Sequence, residues 1–139
     1  MAVAQDVDLG SIWLFSACSA TQLRAVRRAI NEVAVAKDTI LVAEGTEGDQ
    51  FSYILEGTAA VRRQGRVVAR LGPGNYFGEL SLLDGRPRSA TVVSTSPMRL
   101  LVLDRKRFES LLDSTPALAT KLLHAMAARL READARAFG

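Results

Sequence analysis

Cysteine and histidine each occur once in the 139 residues, as Cys18 and His124. One cysteine excludes an internal disulfide and fits a reducing compartment. Flanked by Ala17 and Ser19, it reads as a small packing residue rather than a nucleophile. One histidine is fewer than a metal cluster usually needs, and His124 falls in a helical stretch with no catalytic reading. No apolar run is long enough to span a bilayer. The N-terminal MAVAQDVDLG lacks the basic region and apolar stretch of a secretory signal, so the cytoplasm is the expected location. Charge of one sign is scarce too. The 18 basic and 15 acidic residues leave a net charge of +3, with no basic stripe of the kind that binds nucleic acid. Neither GxGxxG nor GxxxxGK[ST] occurs, and the glycine-rich GPGNYFG has no βαβ unit around it. With no paired-carboxylate cluster either, an enzyme is not expected.

What remains is apolar and periodic. Apolar residues make up 48% of the chain, enough for the core of one ordinary domain, so residues 1–139 are expected to form a single domain. Leu9 to Ser16 reads as a short helix or turn anchored by Ile12, Trp13 and Phe15. SATQLRAVRRAINEV follows with helical spacing of Leu23, Val26, Ala29 and Ile30, capped by Ser19 or Thr21. Its charged side, Arg24, Arg27, Arg28 and Glu32, reads as a solvated face.

From Val33 to Asp104 the period changes to two. VAVAK, TILVAEG, FSYILEG, TAAVRRQG, RVVARLGPG, SATVVSTS and MRLLVLD each read as a strand punctuated by glycine. Gln64-Gly65 predicts a tight hairpin. Many short strands with regular turns predict a sandwich or small closed roll. Helical spacing returns after Asp104, which caps RKRFESLLD. Thr115-Pro116 opens a long helix with Leu118, Leu122, Ala125, Met126, Arg129, Leu130 and Ala133 along one side. The expected order is helices over 1–32, strands over 33–104 and helices over 105–139.

FGELSLLDGRPRSATV, residues 77–92, interrupts the strands. A helix starting near Gly78 leaves unpaired N–H groups that attract an anion, and a glycine there lets a ligand approach the backbone. Pro87 biases Arg86 towards extended structure, and Arg88 emerges at the start of a strand. A guanidinium suits phosphate, with Ser89 and Ala90 adding donors. Glu79 would repel phosphate in direct contact. It instead suits a neighbouring hydroxyl, as in a ribose phosphate. A structural Glu79–Arg88 ion pair is the alternative.

The same stretch resembles the phosphate-binding cassette of the cyclic nucleotide-binding domain family, through F-G-E-L, two leucines and P-R-S-A-T-V. The likeness extends to WLFSACSATQL, to EGTEGDQFSYILEGTAAV and to RLGPGNYFGE. It implies an α+β fold, an eight-stranded antiparallel β-roll flanked by N-terminal helices and a C-terminal lid helix. It implies that Glu79 accepts from the ribose 2′-OH, with Gly78 and Leu80 as backbone contacts, and that Arg88 pairs with the cyclic phosphate, aided by Ser89 and Ala90. Ser89 after the arginine leans towards cAMP rather than cGMP. By spacing, Arg129 looks like a lid residue that stacks on the purine. Leu122, Leu123, Met126 and Leu130 read as packing residues, against the roll or against a second copy.

The expected function is therefore a cyclic nucleotide sensor, most readily for cAMP, that signals through its last helix to a protein effector or a homodimer. The resemblance carries no helix-turn-helix, so no nucleic-acid binding by this chain alone is expected, although a parent transcription regulator or channel fits. A scaffold or oligomerisation domain that keeps the roll without the ligand is the remaining alternative.

Overall fold

The structure, a computed structural model, describes residues 7–138. The parts of the 1–139 reading and of the N-terminal reading that rest on residues 1–6 and 139 lie outside them. The described residues divide into two compact units, one of residues 7 and 30–107 and one of residues 8–29 and 108–138.

The first unit holds eight strands in two antiparallel sheets. One sheet runs β1 (Asn31–Val35), β8 (Met98–Asp104), β3 (Gln50–Glu56), β6 (Tyr76–Phe77). The other runs β2 (Ile40–Val42), β7 (Thr91–Ser94), β4 (Ala59–Arg63), β5 (Arg66–Leu71). This is the α+β β-roll that the sequence predicts. Alternation sets which side chains turn inward. Ile54, Ala59, Val92, Met98 and Leu100 form the buried centre, with Val42, Val61, Leu71 and Phe77 packed on it. Gln64 and Gly65 both adopt positive φ, 52° and 79°, which is the primed hairpin turn that matches strand twist.

Two boundaries differ from the sequence reading. The first helix stops at Ala29 and β1 starts at Asn31, so Glu32 is a strand residue. Rather than facing solvent alone, Glu32 accepts from Arg99 on β8 at 2.9 Å, and Arg99 also donates to Glu56 on β3 at 2.8 Å. The arginine thereby ties three neighbouring strands. β6 has no counterpart among the expected strands because two residues are too few to show a period.

Ser94 is buried at the end of β7 and organises the β1–β2 connection. Its Oγ accepts from Thr39 N–H at 2.8 Å and donates to Ala36 O at 2.7 Å. Its own N–H donates to Thr39 O, and its O accepts from Asp38 N–H. Ser94→Ala leaves a donor and an acceptor without their partner in a dry place, so we expect a loss of about 1–3 kcal/mol. Urea unfolding should show a lower midpoint at unchanged m. A loss under about 0.5 kcal/mol would mean that water replaces the hydroxyl.

The second unit is helical. Two short 3-10 turns, Leu9–Ser11 and Trp13–Phe15, precede α1 (Ala20–Ala29). Ser19 and Gln22 form a reciprocal capping box, with Gln22 N–H donating to Ser19 Oγ and Ser19 N–H to Gln22 Oε1. α3 (Arg105–Ser114) is capped by Asp104, whose carboxylate accepts from Arg107 N–H at 2.8 Å. α4 (Pro116–Phe138) starts at the predicted proline. Leu118, Leu122 and Ala125 on α4 are buried, but Leu123 and Leu130 are 62% and 65% exposed. Among the described residues, those two leucines therefore turn mostly to solvent.

Candidate functional site: an anion pocket in the roll

The segment between β6 and β7 carries the sequence-predicted residues. Its only helix is α2 (Ser81–Asp84), one turn that begins three residues after Gly78. The N–H groups of Ser81, Leu82, Leu83 and Asp84 are already bonded within that turn. The expected helix N-terminus at Gly78 is thus corrected: the helix starts at Ser81, and its own N–H groups are taken up by the turn. Gly78 has φ 85°, a left-handed conformation that glycine adopts without strain.

Arg88 is placed by backbone on both sides of its own residue. Its N–H donates to Thr46 O at 2.7 Å and its O accepts from Gly45 N–H at 2.9 Å. An isolated bridge pairs Glu47 with Pro87 just before it. Arg88 accordingly lies in the loop three residues ahead of β7, where the sequence reading put it at the start of the strand. A Cβ at Gly48 would overlap the Arg88 side chain, so that glycine makes the room for it. The guanidinium lies against Gly78, and its Nη2 donates to Gln50 O at 2.6 Å.

The electrostatics of this arginine are unbalanced. Burial pushes its pKa below the ordinary value, while the charges of Asp49 and Glu79 pull it part of the way back. Its Nε is buried with no hydrogen-bond partner. A desolvated cation with an orphan donor is stabilised by an anion that reaches it.

Two cavities meet at this point and share Gly78, Arg88 and Ser89. The first, of about 300 Å³, is polar: Glu79, Ser81, Asp84, Arg86 and the half-exposed Leu80 line it. The second, of about 250 Å³, is walled by Val42, Val61, Leu71, Phe77, Ala90 and Val92, with Tyr76 and Arg63. Gly78, Glu79, Leu80, Arg88, Ser89 and Ala90 are therefore brought together as expected. Arg129 is not among them. It lies on α4 in the other unit, with Cζ 4.8 Å from the centre of the Trp13 ring.

Three participants escape the sequence reading. Gln50 contributes only a backbone oxygen and Gly48 only the absence of a Cβ. Arg63 did leave a signal, since it shares the strand parity of the inward-facing Val61. Elsewhere, burial pushes the Cys18 thiol up, with Lys121 offsetting part of that. A raised thiol is the opposite of an activated nucleophile. Among the described residues, no group of three or more His, Cys, Asp or Glu is placed to hold a metal, and no helix is long and apolar enough to cross a membrane.

A half-buried arginine between a carboxylate-lined cleft and an apolar cavity, inside a β-roll, suits a small anionic ligand with a hydrophobic or aromatic part. The sequence over residues 32–115 matches the cyclic nucleotide-binding domain family, and the chain belongs to it. It is 35% identical to the N-terminal domain of a transcriptional regulator from Streptomyces coelicolor A3(2), covering 92% of this chain and 95% of that one at a TM-score of 0.82. It is 34% identical to a cyclic nucleotide-binding domain from Methylobacillus flagellatus, over 85% and 71% of the two chains, at a TM-score of 0.66. It is 30% identical to the catabolite activator protein of Thermus thermophilus at a TM-score of 0.67, with 89% of this chain matching 61% of that longer one.

Proposed function

We propose that this chain is a cAMP-responsive regulatory domain rather than an enzyme, and that it passes ligand binding on through α4. The observation that carries this reading is the half-buried Arg88, whose buried Nε is unsatisfied, at the junction of the two cavities. A cyclic phosphate fits that junction, the ribose falls beside Glu79, and the purine takes the apolar cavity. Ser89 in place of threonine favours adenine. The serine hydroxyl is the smaller and less directed acceptor for a guanine amino group.

Transmission needs a group that changes partner. Arg129 is such a group, because its stack on Trp13 competes with the purine-stacking role that the family resemblance suggests. Ligand would shift the population towards the state in which α4 presents its altered face. The exposed Leu123 and Leu130 offer that face to a homodimer partner or a protein effector. The likeness to the Streptomyces domain favours an effector that acts on transcription.

The test is a calorimetric titration with cAMP, cGMP and 2′-deoxy-cAMP. Trp13 is the only tryptophan, so its emission follows Arg129 in the same experiment. Glu79→Ala should weaken cAMP by roughly 10- to 150-fold, the loss of a hydrogen bond to a charged acceptor. It should affect 2′-deoxy-cAMP far less. Equal losses for both ligands would remove Glu79 from the ribose, and no binding of any nucleotide would remove the ligand assignment.

A further inference from the structure

The apolar cavity contains one charged group that the reading above does not use. Arg63 is the last residue of β4. β4 pairs in regular register with β7, from Ala59 opposite Ser94 to Arg62 opposite Thr91. The irregularity in its pairing with β5 falls in β5, where Val68 is the extra residue between the partners of Val61 and Arg62. Val61 and Arg63 therefore keep the same parity, and both line the cavity.

The side chain is held at one point. Arg63 Nε donates to Ser89 O at 3.2 Å, across the mouth of the site and next to Arg88. That bond consumes one donor of five. The two terminal amino groups make no other hydrogen bond or ion pair within the described chain. Apart from Arg88, no other charged side chain lines this cavity. The remaining lining is aliphatic or aromatic, with the hydroxyls of Tyr76 and Ser89.

We propose, building on the cyclic nucleotide reading, that Arg63 is a specificity-determining residue that donates two N–H groups to O6 and N7 of a 6-oxopurine cyclic nucleotide. The reasoning is chemical. A planar fork of donors fits two adjacent acceptors. Guanine and hypoxanthine present O6 beside N7, whereas adenine presents an amino donor beside N7. For adenine at most one bond forms, and the amino group faces a cation with no acceptor. Arg63 thus opposes the adenine preference set at Ser89. The domain admits cGMP and cIMP because of Arg63, and its selectivity for cAMP is narrower than Ser89 alone would set.

The measurement uses the whole chain with cAMP, cGMP and cIMP by calorimetry, comparing wild type, Arg63→Ala and Arg63→Lys. cIMP differs from cAMP at the 6-position and lacks the guanine 2-amino group, so it isolates O6. Arg63→Ala should weaken cGMP and cIMP by roughly 5- to 150-fold, the range of one bidentate arginine–guanine pair, and change cAMP by less than about threefold. Arg63→Lys keeps the charge without the fork and should lose most of the same selectivity. A role limited to holding Ser89 in place would weaken all three ligands alike, and a role of charge alone would be restored by lysine. Either result overturns the proposal. So does cAMP binding without detectable cIMP or cGMP binding by wild type, which leaves the cyclic nucleotide reading standing. If none of the three binds, both readings fall together.

Discussion

Arg88→Ala should bind cyclic nucleotide about 2–5 kcal/mol more weakly than wild type, or roughly 30- to several thousand-fold in Kd. The size follows from what the substitution leaves behind. A phosphate that enters the junction of the two cavities gives up water. In wild type it meets a guanidinium that burial has already partly desolvated and whose Nε has no partner of its own. Both groups therefore gain on pairing. Without the arginine, the phosphate is desolvated with only backbone N–H groups in compensation. Arg88→Lys should recover a minor part, since an ammonium supplies charge without the fork.

The same change should leave the ligand-free fold nearly as stable as before. It removes the bond from Nη2 to Gln50 O but also removes the cost of holding a cation out of water. These effects oppose each other, which separates a binding residue from a structural one. Should Arg88→Ala bind cAMP within about threefold of wild type, the phosphate lies elsewhere. Should it fail to fold, Glu79 and Arg88 act as a structural pair and the scaffold reading gains.

Much of this was legible in the chain because it was local. Alternation marks seven of the eight strands, and residue types mark the Gln64-Gly65 turn, the Ser19 cap and the Asp104 cap. Glu79 and Arg88 could be read as a hydroxyl acceptor and a phosphate partner because their chemistry is incompatible with the apolar residues around them. What was not legible depends on distant backbone. Arg88 is oriented by carbonyls and N–H groups of residues 45–50, roughly forty positions away in sequence. Backbone groups carry no side-chain signature, so neither Gln50 nor the room left by Gly48 shows in the motif. The onset of α2 failed for a related reason. A one-turn helix has no period to read, and its N–H groups close on Gly78, Glu79 and Leu80 rather than on a ligand.

Gly78→Ala tests how that distant backbone and the motif are joined, and its expected effect is on both stability and binding. At φ 85° an alanine is strained by about 1–3 kcal/mol. Its Cβ would also overlap Gln50 O and the Arg88 guanidinium, the two partners of one hydrogen bond. Forcing them apart should cost about 1–3 kcal/mol more. Urea unfolding of the ligand-free protein should show the sum, and calorimetry should show cAMP affinity falling with it, because Arg88 is displaced from the junction. Gly78→Asn separates the two causes. Asparagine tolerates positive φ better than alanine but carries the same Cβ. If strain dominates, asparagine recovers much of the stability. If overlap dominates, as the closeness of Gln50 O implies, asparagine is as damaging as alanine. A Gly78→Ala protein that unfolds within about 1 kcal/mol of wild type would show that the segment yields to a side chain. In that case the position of Arg88 does not depend on the glycine before Glu79.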